Sequence, residues 1–305
     1  MIQTPIFAGI ELGGTKSVAL LARGDVIIDQ CRLPTGDPDT TLAGVEDWLA
    51  DAAGRHGAFA ALGIASFGPL GLDPARPDHG QITTTPKPGW SGVELLRRFS
   101  ARFAVPTGFD TDVNAAALAE GRWGAAIDTR LHVYITIGTG VGAGIIMNGR
   151  PVHGSLHAEI GHLRIRRRRS DAFAGACPFH GDCVEGLISG PALAHRSGAA
   201  VPTLPADHPV WDAYVDDLAE LLALLILTVS PDCILIGGGV GLGQSARLPA
   251  IRAATERRLG NYLPALLPHL RGKLLRSPLL GENAGPMGAI ALAHDALAAS
   301  RCAQA

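Results

Sequence analysis

Between His157 and Glu185 the chain reads His157-Ala-Glu159-Ile-Gly-His162, then a basic loop, then Cys177-Pro-Phe-His180-Gly-Asp-Cys183-Val-Glu185. The spacing Cys-x2-His-x2-Cys lets a tight turn aim Cys177, His180 and Cys183 at one point, and His162 completes a tetrahedron. Two thiolates and two imidazoles are donors that zinc takes in closed structural sites, whereas a catalytic zinc keeps one position open. The competing reading, two buried thiols and two ordinary histidines, sits poorly with the Pro and Gly residues that place the cluster in a turn. Glu159 and Glu185 flank the four ligands. Two carboxylates held by a metal-clipped loop can accept hydrogen bonds from a polyhydroxylated ligand, solvated surface charge being the plainer alternative.

Two further stretches carry chemistry. Glu11-Leu-Gly13-Gly14-Thr15-Lys16 joins two apolar runs, and its glycines let backbone approach a phosphate while Thr15 and Lys16 offer donors and Glu11 suits a magnesium-bound water. Taken alone, Gly-Gly is a hairpin turn, and the stretch is neither a P-loop nor a GxGxxG fingerprint. Asp110-Thr111-Asp112-Val113-Asn114 ends an apolar strand and opens a helix, the position at which open α/β sheets bind ligands. One of Asp110 and Asp112 is expected to cap that helix, leaving the other as a general base.

The elements that must position these groups follow from apolar periodicity. Strands are expected at 6–10, 17–21, 26–28, 61–65, 105–109, 131–137, 141–147 and 232–236, with a short one at Pro151-Val152. Helices are expected over 42–53, from Ser91 through Phe99, over 210–229 and 251–259, and from Pro286 to about Ala299. The Pro- and Thr-rich loop Thr83-Thr-Thr-Pro86-Lys87-Pro88-Gly89-Trp90 is of a kind that is functional or mobile. Leu131–Ile137, the turn Gly138-Thr139-Gly140 and Val141–Met147 repeat the N-terminal strand, glycine turn and strand. Two similar halves, each opening on a phosphate-compatible hairpin, imply a cleft that holds a nucleotide. The strand at 232–236 runs into Gly237-Gly238-Gly239, bare backbone for a flat or phosphorylated group.

At 305 residues with 47% hydrophobic and 18% charged residues, the chain can bury one large or two medium cores. A net charge of −2 gives no reason to expect nucleic acid or a membrane as partner, and the Arg164–Arg169 run reads as a solvated loop. Five scattered or clustered cysteines make no disulfide framework, and with no leader sequence or long apolar span the expected location is the cytoplasm.

Glu11-Leu-Gly-Gly-Thr-Lys16, Asp112-Val-Asn114, Thr136-Ile-Gly-Thr-Gly140, Glu159-Ile-Gly-His162, the Cys/His cluster and Gly237-Gly-Gly239 stand in the order found in ROK-family sugar kinases, which the chain resembles over nearly its whole length. Most members carry Cys-x-Cys-x2-Gly-x2-Cys, so Cys177-x2-His180-x2-Cys183 is a departure; with Thr-Pro-Lys-Pro-Gly-Trp90 it looks like the bacterial ROK fructokinases. The resemblance implies an α/β fold of the actin-like, hexokinase-like (ribonuclease H-like) ATPase type, with two similar lobes and a central cleft. The lobes would be 1–115 with the C-terminal helix 286–305, and 116–285 with the zinc loop. Asp112 would be the catalytic base, with Glu159, His162, Glu185 and Gly68 also contacting the sugar. Gly14, Thr15, Lys16, Thr139, Gly140, Gly238 and Gly239 would line ATP. His162, Cys177, His180 and Cys183 would hold structural Zn2+. ATP with Mg2+ would phosphorylate D-fructose in a cytoplasmic homodimer. Relatives often carry Asn at Thr111 and Asp at Glu11, which leaves the sugar contact at 111 open. The alternatives are another hexose (glucose, mannose or an N-acetylhexosamine) or a sugar-sensing repressor. Such repressors carry an N-terminal helix-turn-helix of about 80 residues, a small domain, for which a glycine motif beginning at residue 13 leaves no room.

Overall fold

The computed structural model describes residues 4–304; residues 1–3 and 305, which the expected lobe boundaries include, lie outside the described residues. In the first sheet, β1 (Ile6–Leu12), β2 (Lys16–Arg23) and β3 (Val26–Pro34) form an antiparallel meander. β4 (Ala61–Ser66) and β5 (Thr107–Thr111) add in parallel to β1, giving the order β3-β2-β1-β4-β5. β1, β2 and β4 are buried on both faces, which is why they read as continuous apolar runs rather than alternating ones.

One face of this sheet packs on α1 (Pro38–His56), which starts earlier than its apolar stripe because Asp37 accepts a hydrogen bond from Thr40 N–H and caps it. Leu42, Val45 and Leu49 of α1 join Ile10, Leu12, Leu62, Trp90 and Phe99 in one core. α2 (Leu95–Phe103) begins four residues after the expected start at Ser91. α3 (Asp112–Trp123) follows β5 directly.

In the second sheet, β6 (Leu131–Ile137) and β7 (Val141–Met147) are an antiparallel hairpin leading to β8 (Arg150–Pro151), one residue before its expected position. Helices α4 (Val184–Ile188), α5 (Gly190–Ser197) and α6 (Val210–Val229) come next. β9 (Cys233–Gly237) runs parallel to β6 and enters α7 (Gly238–Gly243), so the triple glycine is a strand-to-helix junction. After α8 (Leu248–Leu259) and the single turn α9 (Leu267–His269), β10 (Leu275–Arg276) pairs with β9. The order β8-β7-β6-β9-β10 reproduces that of the first sheet, so the repeat read from the glycine turns is a duplicated topology. α6 is apolar on several faces because Tyr214, Leu218, Leu221, Leu222 and Leu225 all enter the core of this half.

The described residues of Met1–Trp123, Arg150–His157 and Asn283–Ala305 form one compact unit, and Gly124–Gly149 with Ala158–Glu282 form the other. The expected division after residue 115 would cut α3, which stays whole in the first unit: Arg122 donates to Ala291 O and pairs with Asp295, both on α10 (Ala284–Gln304). α10 lies on the first sheet at backbone distance. Gly9, Gly63 and Gly108 are register partners across β1, β4 and β5, and a Cβ on Gly63 would stand 1.8 Å from Ala289 O. The bare row is what lets an alanine-rich helix pack so closely.

Candidate active site

In the first unit the β1–β2 turn is held by its carbonyls. Gly13 O accepts from Thr35 Oγ1 at 2.8 Å, Gly14 O from Lys87 Nζ at 2.8 Å, and Thr15 O from Thr35 N–H at 3.0 Å. The N–H groups of Gly14 and Thr15 bond to nothing among the described residues. With acceptors engaged and donors open, the turn is suited to an anion. Lys16 and Thr15 are exposed beside it.

Glu11, at the end of β1, lies against the start of α10, where a Cβ on Gly285 would meet its Oε1 at 2.0 Å. Burial pushes its carboxyl up to about 7, against the opposing pull of Lys16 and Arg32. Asp112, the first residue of α3, is likewise pushed up to about 7, by burial first and by the Glu11 charge second, and its carboxylate accepts from the adjacent Val113 N–H at 2.9 Å.

The expectation that Asp110 or Asp112 caps α3 is corrected: the cap is Thr111, whose Oγ1 accepts from Asn114 N–H at 3.2 Å. Asp110 is buried and fully engaged, accepting from Thr111 N–H and Asn114 Nδ2 and pairing with His153 at 3.0 Å. That pairing raises the His153 pKa. Of the two acids, Asp112 is therefore the one with an uncommitted oxygen. Gly68 lies beside His157, whose Nε2 accepts from Leu70 N–H at 3.0 Å.

In the second unit, Gly138 O accepts from Gly190 N–H at 2.7 Å, and Thr139 and Gly140 N–H are open like those of Gly14 and Thr15. Gly238 has φ +76 and packs so tightly on β6 that a Cβ would fall 2.5 Å from Ile137 N and O; Gly239 faces open space. The structure brings Thr139, Gly140, Gly238 and Gly239 to one end of the second sheet.

Glu185 does more than flank a ligand: its Oε2 accepts from Val141 N–H at 3.0 Å, tying α4 to the β6–β7 turn. Glu159 is exposed at the start of a 3-10 turn, Ile160–His162, that sits on β7, where a Cβ on Gly161 would be 1.8 Å from Val141 O.

The four donor atoms of His162, Cys177, His180 and Cys183 lie within 4.8 Å of one another. His162 Nδ1 is 3.8 Å from Cys177 Sγ and 3.7 Å from Cys183 Sγ, and His180 Nδ1 is 3.9 Å from Cys177 Sγ. A tetrahedral ion with bonds of about 2.0–2.3 Å separates its ligands by roughly 3.3–3.8 Å, so the quartet fits one. Gly181, at φ +63, closes the turn by exchanging backbone hydrogen bonds with Cys177.

The basic loop is exposed, and it is also anchored by ion pairs. Arg167 pairs with Asp171 and Asp182, Arg168 with Asp216 of α6, and Arg196 of α5 with Asp171 and Asp217. Arg164, Arg166, Arg168 and Arg169 are exposed, and Arg167 is half-buried. The network fastens the loop of the Cys/His quartet to α5 and α6. The Pro-rich loop is likewise pinned, because Trp90 is fully buried and donates to Gly36 O. Sequence reasoning missed Thr35 and Lys87 as supports of the turn, and the only signal was the presence of Lys87 in that loop.

A twice-repeated sheet with a glycine turn on each half is the architecture of actin-like ATPases, here bearing the Asp112 carboxylate in the first unit and a Cys/His quartet in the second. The chain belongs to the ROK family, which it matches over residues 7–296. It is 39% identical over 293 residues to a fructokinase of Pediococcus pentosaceus, covering 96% of this chain and 99% of that one. A fructokinase of Zymomonas mobilis is 40% identical over 293 residues, covering 94% and 96%. Among solved structures, the ROK hexokinase of Thermus thermophilus superposes with a TM-score of 0.77 at 25% identity, covering 96% of this chain and 99% of that one.

Proposed function

We propose that the protein is an ATP-dependent fructokinase that converts ATP and D-fructose into ADP and fructose 6-phosphate. The observation that carries the sugar's identity is the 39–40% identity to two fructokinases over nearly the full length of each. Asp112 supports the chemistry: it takes the proton of the 6-hydroxyl as that oxygen bonds to the γ-phosphorus and the bond to the ADP oxygen breaks. Burial and the Glu11 charge push its pKa up to about 7, toward the range in which a general base works at neutral pH. The open N–H groups at Gly14, Thr15, Thr139 and Gly140, with Lys16, Gly238 and Gly239, receive the nucleotide. Glu159, His162, Glu185 and the Gly68 backbone receive the sugar hydroxyls. Glu185 has one oxygen on Val141 N–H and one left for this task.

Glu11 would hold the magnesium that accompanies ATP and neutralises phosphate charge, and a cation there would return its raised carboxyl to the ionised form. His162, Cys177, His180 and Cys183 would hold structural zinc, which keeps the loop carrying His162 and leading into Glu185 in shape. The reduced thiols of Cys177 and Cys183 suit a cytoplasmic setting; among the described residues no helix is long and apolar enough to cross a membrane. The working form is taken to be a homodimer, for which exposed Leu163 and Phe179 on the metal-ligand loop offer apolar surface.

An ADP-release assay with fructose, glucose, mannose and N-acetylmannosamine tests the assignment. Fructose should give the highest kcat/KM, and a clear preference for any other sugar on the panel sinks the fructose reading.

A further inference from the structure

The geometry points to Lys87 as a positioning residue for the nucleotide phosphates, acting by holding the Gly13-Gly14-Thr15 turn open and by placing a positive charge at it. The inference rests on reading that turn as a phosphate contact.

The turn has three carbonyls to dispose of, and each has a partner. Two go to Thr35, through its hydroxyl and its N–H, and the third, Gly14 O, goes to the Lys87 ammonium. The same ammonium donates to Thr35 O at 3.0 Å, so one cation ties the turn to the residue that holds its other two carbonyls. Ser17 Oγ, buried, is 2.8 Å from Thr35 Oγ1 and completes the frame. A carbonyl that rotated toward a bound phosphate would repel it; fixing all three away leaves the Gly14 and Thr15 N–H groups as the face presented.

Lys87 is carried to this place by a rigid loop. Trp90, fully buried three residues on, donates to Gly36 O at 3.0 Å and meets the Phe67 ring edge-on. Thr85 N–H bonds to Ser91 Oγ. Among the described residues no carboxylate pairs with Lys87, and its two recorded acceptors are neutral carbonyls, so its charge is not cancelled locally. An ammonium carries three donors, which leaves one for a phosphate oxygen. A loop remote in sequence thereby performs a task that a P-loop gives to its own lysine.

The test compares Lys87→Met and Lys87→Arg with the parent by calorimetric titration of AMP, ADP and a non-hydrolysable ATP analogue, together with steady-state KM for ATP and for fructose. Loss of a charged hydrogen bond predicts a weakening of the ATP analogue by Lys87→Met of about tenfold or more. The loss should be smaller for ADP and least for AMP, and the KM for fructose should move less than about twofold, since no sugar contact is lost. Lys87→Arg, which can still donate to two carbonyls, should recover part of the affinity. Unchanged affinity for the ATP analogue in Lys87→Met overturns the proposal, as do equal losses for all three nucleotides and fructose, which describe a loosened fold. Gly13→Ala separates this from failure of the turn reading, because its Cβ would stand 2.7 Å from Lys16 O and distort the turn directly. Weakened nucleotide binding in Gly13→Ala with none in Lys87→Met removes only the role of Lys87, and none in either removes the turn. Should Gly13→Ala not fold, Thr15→Val, an exposed change that deletes one donor, takes its place.

Discussion

At the scale of single residues, burial and then the Glu11 charge raise the cost of ionising Asp112, and the predictions here turn on that carboxyl. Asp112→Asn keeps the size of the side chain and removes the proton acceptor, so kcat should fall by ~10²-fold or more while both substrates still bind; turnover near the parent value would exclude Asp112 as the base. The acid limb of the parent's pH profile should lie near 7. Glu11→Gln removes a charge that pushes Asp112 up, and should move that limb to lower pH whatever it does to the maximal rate. Stability should follow the same groups. The Asp112 carboxyl titrates at about 7 in the fold against an ordinary 3.8, so between those values the folded chain keeps a proton that the unfolded chain has released, and stability falls as pH rises through the window. Asp112→Asn should accordingly raise Tm more at pH 8 than at pH 4, and equal gains at both would show that the fold does not raise this carboxyl's pKa.

Whole elements are set by backbone proximity and by the loop that carries the Cys/His quartet. Gly63→Ala would drive a Cβ to 1.8 Å from Ala289 O in the row on which α10 lies, and should cost about 3 kcal/mol or more. Gly54→Ala, in the interior of α1 with nothing within 4 Å of the new Cβ, should stabilise by about 0.5–1 kcal/mol. Denaturant unfolding of the pair measures both, and an equal response at the two sites would deny the close packing of α10. For the Cys/His quartet, elemental analysis should return about one zinc per chain, as a single four-coordinate site requires. Cys183→Ser should lower Tm and raise KM for fructose. Because Glu185 joins α4 to the β6–β7 turn through Val141 N–H, the same variant should also weaken ATP, to a smaller degree. A Cys183→Ser protein with full zinc and parental kinetics would dissociate the loop from the site.

At the scale of the molecule, each compact unit has a core of its own, one around α1 and the first sheet and one around α6 and the second. Each also has a glycine turn with open N–H groups. Substrates that bind only the folded protein stabilise it by mass action, about 2.7 kcal/mol at one hundred times Kd. A thermal shift with the ATP analogue and with fructose, each alone, should therefore show both. A sugar that shifts Tm but yields no ADP would mark the protein as a sensor of sugar in place of a kinase.

What was legible in the sequence is what depends on short spacing. The strands, their glycine turns, the repeat of that pattern after residue 131 and the Cys-x2-His-x2-Cys cluster all follow from residues a few positions apart, where periodicity and turn chemistry leave little choice. Tertiary structure decided which of two neighbouring acids is free: Thr111 caps α3 and His153, 43 residues beyond Asp110, draws Asp110 into a buried pair. It decided that Arg167 pairs within the loop and that the exposed Arg168 pairs with Asp216 of α6. It also brought Lys87 to Gly14 across 73 residues and set Gly9, Gly63 and Gly108 side by side under α10. None of these has a local signature, because a carbonyl's partner, a carboxyl's pKa and the room for a Cβ are properties of whatever the folded chain places nearby, and a lone glycine or lysine in sequence is compatible with many neighbours.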